Sequence, residues 1–493
     1  MRRSLIGWVW SLSIGFALGS ACSAEPDSSP RQNAGTGGST SGAGGSTSAS
    51  TGSSGVTSSS STTSSSSSGS TVTAGTTGSG GGAGSSTSAA TGGSAGSSGA
   101  AAGGAGGGGT GGATDAGVGG TGGSPPVGDA GGPSLAKWQY FKPITLDTTA
   151  TGANVSVAVP KYPVALVLTS ANFDFAQAKD MGADLRFTTP DGTLLPHAIE
   201  SWDSAAKVAA LWVKVDVKGN DKSAAVLMNW GNPDAPSTSN SSSVFDVADG
   251  FVGVWHLAEA GSKTAGAYKD ATSNAADATG LGTTAPTNTD ARIGKGASLS
   301  HAENQWIRLD GTKNSLFNFQ DQMTYSIWVY MKSHTVGYQA AFTKGETGFR
   351  MHYYGLSSWA ENRMRHIVEI CVENTGGGDI CPLKGGNANA WQGTDVAAGQ
   401  WFHWVAIHNK PNLSYYLNAV LEISSNEGGT WTTGTKEVAI GNNSSSMGRS
   451  WDGYLDEARI MKTVKDVNWV KLEYESQREG QKFLTMGATQ RRF

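Results

Sequence analysis

Met323-Thr324-Tyr325-Ser326-Ile327-Trp328-Val329-Tyr330 is the stretch on which the reading of the fold turns. From Tyr325 onward large side chains alternate with period two across both faces, as they do in a strand covered on each side. Trp401 to His408 repeats that pattern, and Trp451-Asp452-Gly453-Tyr454-Leu455-Asp456-Glu457-Ala458-Arg459-Ile460 supplies a further strand. Strands of this kind assemble into a two-sheet roll. Gly253 to Leu257 and Trp306 to Leu309 are shorter strands ahead of them. Asp466 to Gln477 is the one helix: Asp466 can cap it, and Val467, Val470 and Tyr474 share a face.

Working backwards, residues 134–246 read as a smaller β-sandwich. Ile144 to Leu146, Val155 to Val159, Val164 to Leu168, His197 to Trp202, Ala209 to Val217 and Ala224 to Trp230 are strand-like runs. Pro160 and Pro163 separate two of them, Asp191-Gly192 makes a turn, and Gly231-Asn232-Pro233 breaks the last. A Ser-rich joint, Ser237 to Ser243, leads into the second module at 247–493.

Before residue 134 the material changes. The chain holds 71 glycines in 493 residues, and from Gln32 to Thr114 there is no charged residue. Such a stretch has too little apolar surface to offset the entropy of ordering its backbone, so residues 23–133 read as a disordered tether. As a Gly/Ser coil it reaches roughly 60 Å. The fold class is therefore all-β, two modules behind a leash.

Residues 1–22 form a targeting segment. Arg2 and Arg3 precede an apolar run from Leu5 to Leu18, and the small residues Gly19-Ser20-Ala21 stand directly before Cys22. This resembles the lipobox of bacterial lipoproteins, in which the cysteine is diacylated, although Gly19 stands where the family usually has Leu. The resemblance implies a secreted protein anchored in a membrane through Cys22, at the outer membrane or cell surface. An ordinary cleaved signal peptide is the alternative. The net charge of −4 and the lack of an internal basic run argue against nucleic acid as a partner.

The module at 134–246 carries a second resemblance, on Gly182-Ala183-Asp184-Leu185-Arg186-Phe187, Asp191-Gly192, Glu200-Ser201-Trp202, Leu211-Trp212-Val213-Lys214-Val215 and Asn229-Trp230-Gly231-Asn232. These resemble an uncharacterised bacterial β-domain, domain of unknown function 2341, which brings no activity with it. That domain commonly precedes a concanavalin A-like lectin/glucanase domain. Gly253 to Leu257, Lys269 to Asn274, Gly294-Lys295-Gly296-Ala297, Trp306 to Leu309 and Trp451 to Ile460 resemble in order the laminin-G-like jelly roll of that superfamily. The resemblance implies a ligand-binding surface, and a rim Ca²⁺ for which Asp270, Asn274, Asp452 and Asp456 are the matching residues. Asp270 capping a turn, and Asp456 with Glu457 bonding backbone amides inside the roll, are the bland reading of the same acids.

Catalytic patterns do not appear. A retaining glucanase needs two carboxylates about 5 to 5.5 Å apart, and no E-x-D-x-x-E occurs. Asp456 and Glu457 are adjacent, so strand geometry predicts that they face opposite ways. His403 and His408, five apart, do the same and cannot share a metal. Sugar binding asks instead for aromatic faces with nearby amides and carboxylates. Most tryptophans fill the core of such a fold; those among turn residues, Trp359, Trp391, Trp431 and Trp451, are the candidate platforms. Cys371 and Cys381 close a short Gly-rich loop and read as a disulfide, worth about 3 kcal/mol. The expected function is non-catalytic binding of a glycan or another envelope ligand. A glycan hydrolase or lyase, or an adhesion protein engaging a protein partner, is the alternative.

Overall fold

The computed structural model describes residues 134–345, 348–354, 367–373, 379–380, 396–426 and 435–493. They fall within one compact unit, Asp115–Phe493. Its first seven strands are β1 (Tyr140–Asp147), β2 (Val159–Thr169), β3 (Arg186–Thr188), β4 (Leu194–Leu195), β5 (His197–Asp203), β6 (Val208–Val217) and β7 (Lys222–Trp230). The roll follows with β8 (Phe251–Trp255), β9 (Ala278–Leu281), β10 (Thr287–Asp290), β11 (Lys295–Leu299), β12 (Trp306–Leu309), β13 (Gln322–Met331), β14 (Tyr338–Thr343), β15 (Arg350–Tyr354), β16 (Ile367–Glu373) and β17 (Asp379–Ile380). It ends with β18 (Trp401–Asn409), β19 (Asn412–Leu417), β20 (Val420–Asn426), β21 (Ala439–Ile440), β22 (Gly453–Met461), β23 (Leu484–Met486) and β24 (Gln490–Arg491). A one-turn helix α1 (Ser241–Val244) joins the modules, and α2 (Val467–Gln477) follows β22.

Every strand pair is antiparallel, and the roll has the two sheets its alternation predicts. One sheet runs β10-β11-β22-β13-β18-β19-β20 with β8 beside β22, and the other runs β17-β16-β15-β14-β21-β12-β9. Met323, Tyr325, Ile327 and Val329 of β13 point into the core between them, with Trp404 and Ala406 of β18 and Leu455 and Ala458 of β22. The other face of the first sheet is closed over its middle by α2. Val470 packs there on Val405 and Ile407, Glu473 accepts from Ser326 Oγ, and Gln477 Oε1 accepts from Trp328 Nε1 at 2.6 Å. Asp466 caps this helix as expected, accepting from the Trp469 N–H. Val467, however, lies exposed. The helix is a wedge that buries Trp469 and Leu472 on one side and Val470 on another, so no single apolar stripe describes it.

The small sandwich has a β23-β1-β7-β3-β4 sheet and a β2-β6-β5 sheet. The prolines expected to separate two strands instead lie inside β2. That strand is at a sheet edge, where a missing N–H leaves no ladder bond unmade, and the register shifts between Val159 and Tyr162. Val155 lies ahead of the strand.

The two modules are built into one another. β23 and β24, the last strands of the chain, pair with β1, so the C-terminus completes the first sheet. The core of the sandwich takes in Phe251, Val254, Ile293, Met461, Trp469 and Phe483 from beyond residue 246. A continuous apolar core therefore crosses position 246/247, and burial of these side chains is what holds the modules together.

Candidate functional site

Side chains of β22, β13 and β18 that point away from the roll's core form rows across the sheet. The register sets Tyr330 opposite both Tyr454 and Trp401. Their rings lie 4.9 Å (Tyr330 to Tyr454) and 5.7 Å (Tyr330 to Trp401) apart. The next row, with Trp328 at its centre, is sealed by Tyr474 and Gln477 of α2. The Tyr454–Tyr330–Trp401 row lies beyond that seal, and all three residues are half-buried. Neighbouring aromatics on adjacent strands hold one another in place, which leaves an ordered aromatic surface at little further entropic cost.

Cations flank the row. Lys332 Nζ sits 5.3 Å from the Tyr454 ring. The Arg292 guanidinium carbon sits 5.9 Å from the Trp401 ring and 5.7 Å from Trp328. Arg292 also lines a groove of about 510 Å³ walled by Ala165 and Val167 of β2, by Gln477 and Arg478 at the end of α2, and by Leu484 and Met486 of β23. The small sandwich thus supplies one side of the groove and the roll the other.

A second cluster joins the modules in the interior. Glu200 of β5 accepts from Trp212 Nε1 at 2.8 Å. His256 Nδ1 lies 2.8 Å from Glu457 Oε1 and 3.5 Å from Glu200 Oε2. Arg459 bonds Glu457 at 2.7 Å, reaches Glu473 at 3.4 Å, and lies 4.5 Å above the Trp212 ring. Burial pushes the Glu200 carboxyl up to about 8. Burial opposes charge on His256 as well, but the carboxylates of Glu457 and Glu200 outweigh it and raise the imidazole to about 9. Glu457 is held below its usual range by His256 and Arg459 despite its burial. Among the described residues this is the one grouping of imidazole and carboxylate ligand atoms gathered within 4.8 Å. Arg459 and Trp212 already occupy it with a positive charge and an N–H donor, so the arrangement is that of an ion-paired latch.

Glu457 explains how its strand reaches this latch. Its φ of 52° makes a bulge, and Leu455 and Ala458 on either side of the 456–457 pair both enter the core. Asp456 and Glu457 consequently leave on the same side, which corrects the expectation of opposite faces. Asp456 Oδ2 accepts the backbone N–H groups of Arg292 (2.9 Å) and Ile293 (3.0 Å). His403 and His408 do diverge, one toward α2 at Trp328 and one toward Tyr325 in the core.

The other residues singled out in the sequence fall as follows. Trp451 is wholly buried, donates to the Tyr330 carbonyl and packs edge-on against Trp404, so it is a core residue and not a platform. Asp270 accepts from the N–H groups of Val254, Thr272 and Ala276, which makes it a turn cap. Asn274 donates to the Val252 carbonyl. Asp452 accepts from the His301 N–H at 3.4 Å. Asp270, Asn274 and Asp456 are each engaged by hydrogen bonds, and Asp270, Asp452 and Asp456, suggested for a rim Ca²⁺, do not form a cluster of ligand atoms among the described residues. Cys22, Trp359, Cys381, Trp391 and Trp431 lie outside the described residues; Cys371 lies on β16. Sequence reasoning passed over Tyr330, Trp401, Tyr454, Arg292, Glu200 and His256 as site residues. Tyr330 and Trp401 lie in runs whose alternation was legible, but the register that sets them side by side is not written in either strand.

Comparison with known proteins agrees with this architecture. Residues 301–471 match the family of concanavalin A-like lectin/glucanases, and the roll has that fold. Residues 181–258 match a domain of unknown function, DUF2341, so the chain places that domain ahead of a concanavalin A-like one. No curated protein matches. Among solved structures, domain 4 of AbnA, an extracellular GH43 arabinanase from Geobacillus stearothermophilus in complex with arabinotriose, is 17% identical, with 46% of this chain and 98% of that one covered and a TM-score of 0.34. The binding domain of Paraclostridial Mosquitocidal Protein 1 is 15% identical (47% and 53% covered, TM-score 0.35). The botulinum neurotoxin serotype D ligand binding domain, in complex with N-acetylneuraminic acid, is 11% identical (46% and 51% covered, TM-score 0.31). The chain spans about half the length of these last two.

Proposed function

We propose that the protein is a non-catalytic, surface-displayed glycan binder, anchored through lipidated Cys22 and carrying its ligand on the Tyr454–Tyr330–Trp401 row. The observation that carries this reading is the row itself: three half-buried aromatic residues, set side by side by strand register, beside the groove under Arg292. Aromatic rings take up the apolar faces of pyranose rings, and charged or amide groups at the border fix hydroxyls. Among the described residues, the adjacent acids of β22 are engaged elsewhere. Asp456 holds two backbone amides and Glu457 holds His256 and Arg459. No helix among the described residues is long and apolar enough to cross a membrane, and the lipid on Cys22 is the proposed attachment.

A glycan array probed with the full chain tests the reading. Binding to at least one glycan, weakened by Trp401→Ala, is expected. Turnover of any bound glycan, abolished by a single acidic substitution, would favour an enzyme instead. Lipidation is tested separately by mass spectrometry of the membrane-extracted protein, with Cys22→Ser expected to release it from the membrane.

A further inference from the structure

The groove beside the aromatic row is lined by donors that the protein leaves unused. Gln477 is 3% exposed; its Oε1 accepts from Trp328 Nε1, and its Nε2 has no hydrogen-bond partner among the described residues. Arg292 Nε is likewise buried and without a hydrogen bond. The one ion pair of Arg292 among the described residues is a 3.4 Å contact with Glu479, whose side chain is 87% exposed. Arg478 stands on the same wall, its guanidinium over Tyr474 and paired with Glu475 one turn back. Buried donors left unmade are costly, of order 1–3 kcal/mol each, and a protein tolerates that cost where a ligand completes the set. Two unpaired N–H donors on guanidinium and amide groups, at the edge of an aromatic surface, fit the oxygens of an oxyanion.

We propose that the groove receives the anionic group of an acidic glycan, a carboxylate or a sulfate, while the adjoining sugar lies on the aromatic row. This rests on the glycan-binding reading and narrows it. Arg292 is the hinge of the arrangement, because its guanidinium lies both in the groove and 5.9 Å from the Trp401 ring. An arriving oxyanion displaces the exposed Glu479 carboxylate, bonds Arg292, and takes the free N–H of Gln477. The inference also gives the small sandwich a role, since β2 and β23 form the wall facing these donors. Without that wall Arg292 would stand in bulk water, where a single ion pair is worth little.

The test uses the full chain and two matched pairs of polymers: polygalacturonate with its fully methyl-esterified form, and dextran sulfate with dextran. In each pair the backbone is shared and the charge is not. The expected result is at least tenfold tighter binding of one charged member than of its neutral partner, lost in 0.5 M NaCl, where the screening length falls to roughly 4 Å. Which pair shows it identifies the group as carboxylate or sulfate. Arg292→Gln should reduce that preference at least tenfold, Arg292→Lys should retain part of it, and Glu479→Gln should increase it by removing the competing carboxylate. A Glu479→Gln variant that folds normally and loses the preference would contradict the proposal, as would charged and neutral polymers bound equally. Equal binding leaves glycan recognition standing and removes only the anionic subsite. Failure of any glycan to bind, in this set or on the array, removes both.

Discussion

Glu200 Oε2 of the small sandwich lies 3.5 Å from His256 Nδ1 of the roll, inside a shell formed by Trp212, Phe245 and Arg459. The small sandwich and the roll therefore meet through a buried acid and a buried base. The same contact explains why the modules share a core.

This contact makes stability depend on pH with a defined sign. Glu200 rises from 4.5 to about 8 and His256 from 6.5 to about 9 in the folded protein. Both pKa values are raised, so their stabilising contribution is complete below the unfolded values and is lost as pH climbs through the folded ones. Thermal stability should fall from pH 4.5, where Glu200 ionises in the unfolded chain, up to about 9, and Glu200→Gln, which mimics the neutral acid, should flatten the part of that fall between 4.5 and 8. Melting temperature against pH for the two proteins reads it directly, and parallel curves would show that the carboxyl does not titrate there.

Arg459 is fully buried and bonds both Glu457 and Glu473. Replacing it by Met leaves the buried Glu457 and Glu473 carboxyls without their guanidinium. The expected loss is about 3–5 kcal/mol, the range for breaking one side of a buried ion pair, measured by urea unfolding. A change of less than about 1 kcal/mol, the level of an exposed pair, would contradict the latch.

The C-terminal strands predict how the molecule comes apart. β23 and β24 complete the sheet of β1, and Phe483 sits in the sandwich core. Calorimetry of the full chain should show one cooperative transition for both modules. Deleting residues 482–493 should lower it by several degrees, because an apolar core residue and an edge pairing go together. Two well-separated transitions in the intact chain would show that the modules are energetically independent.

The hairpin of β16 and β17 pairs Val372 with Ile380 and Glu373 with Asp379, one register step from the two cysteines. Their disulfide is expected to appear in a non-reducing peptide map of the protein. Reduction should lower stability by about 3 kcal/mol, the loop-closure value. Free thiols at both positions in protein taken from the envelope would rule the bond out.

How far the sequence carried the fold depended on which physical signal was local. Period-two runs in β13, β18 and β22 and the Asp466 cap are local and were legible. The two prolines of β2 misled because edge position, which makes them harmless, is a property of the finished sheet. Asp456 and Glu457 misled for a related reason: one bulge at Glu457 reverses strand alternation, and a bulge is set by the strands beside it. The aromatic row and the latch could not be read ahead, since Tyr330 meets Trp401 through register and Glu200 meets His256 through packing of distant segments. Trp451 was chosen for its turn-rich neighbours, whereas its indole lies wholly in the core and donates to the Tyr330 carbonyl, a contact made by packing of distant strands.

The central claim, that the Tyr454–Tyr330–Trp401 row is the binding surface, is tested most directly by calorimetric titration. The best glycan from the array would be titrated into the full chain and into Trp401→Ala. At least a tenfold loss of affinity, about 1.4 kcal/mol, is expected in a Trp401→Ala protein that still folds. Equal affinity in a well-folded Trp401→Ala protein would place the ligand elsewhere on the molecule.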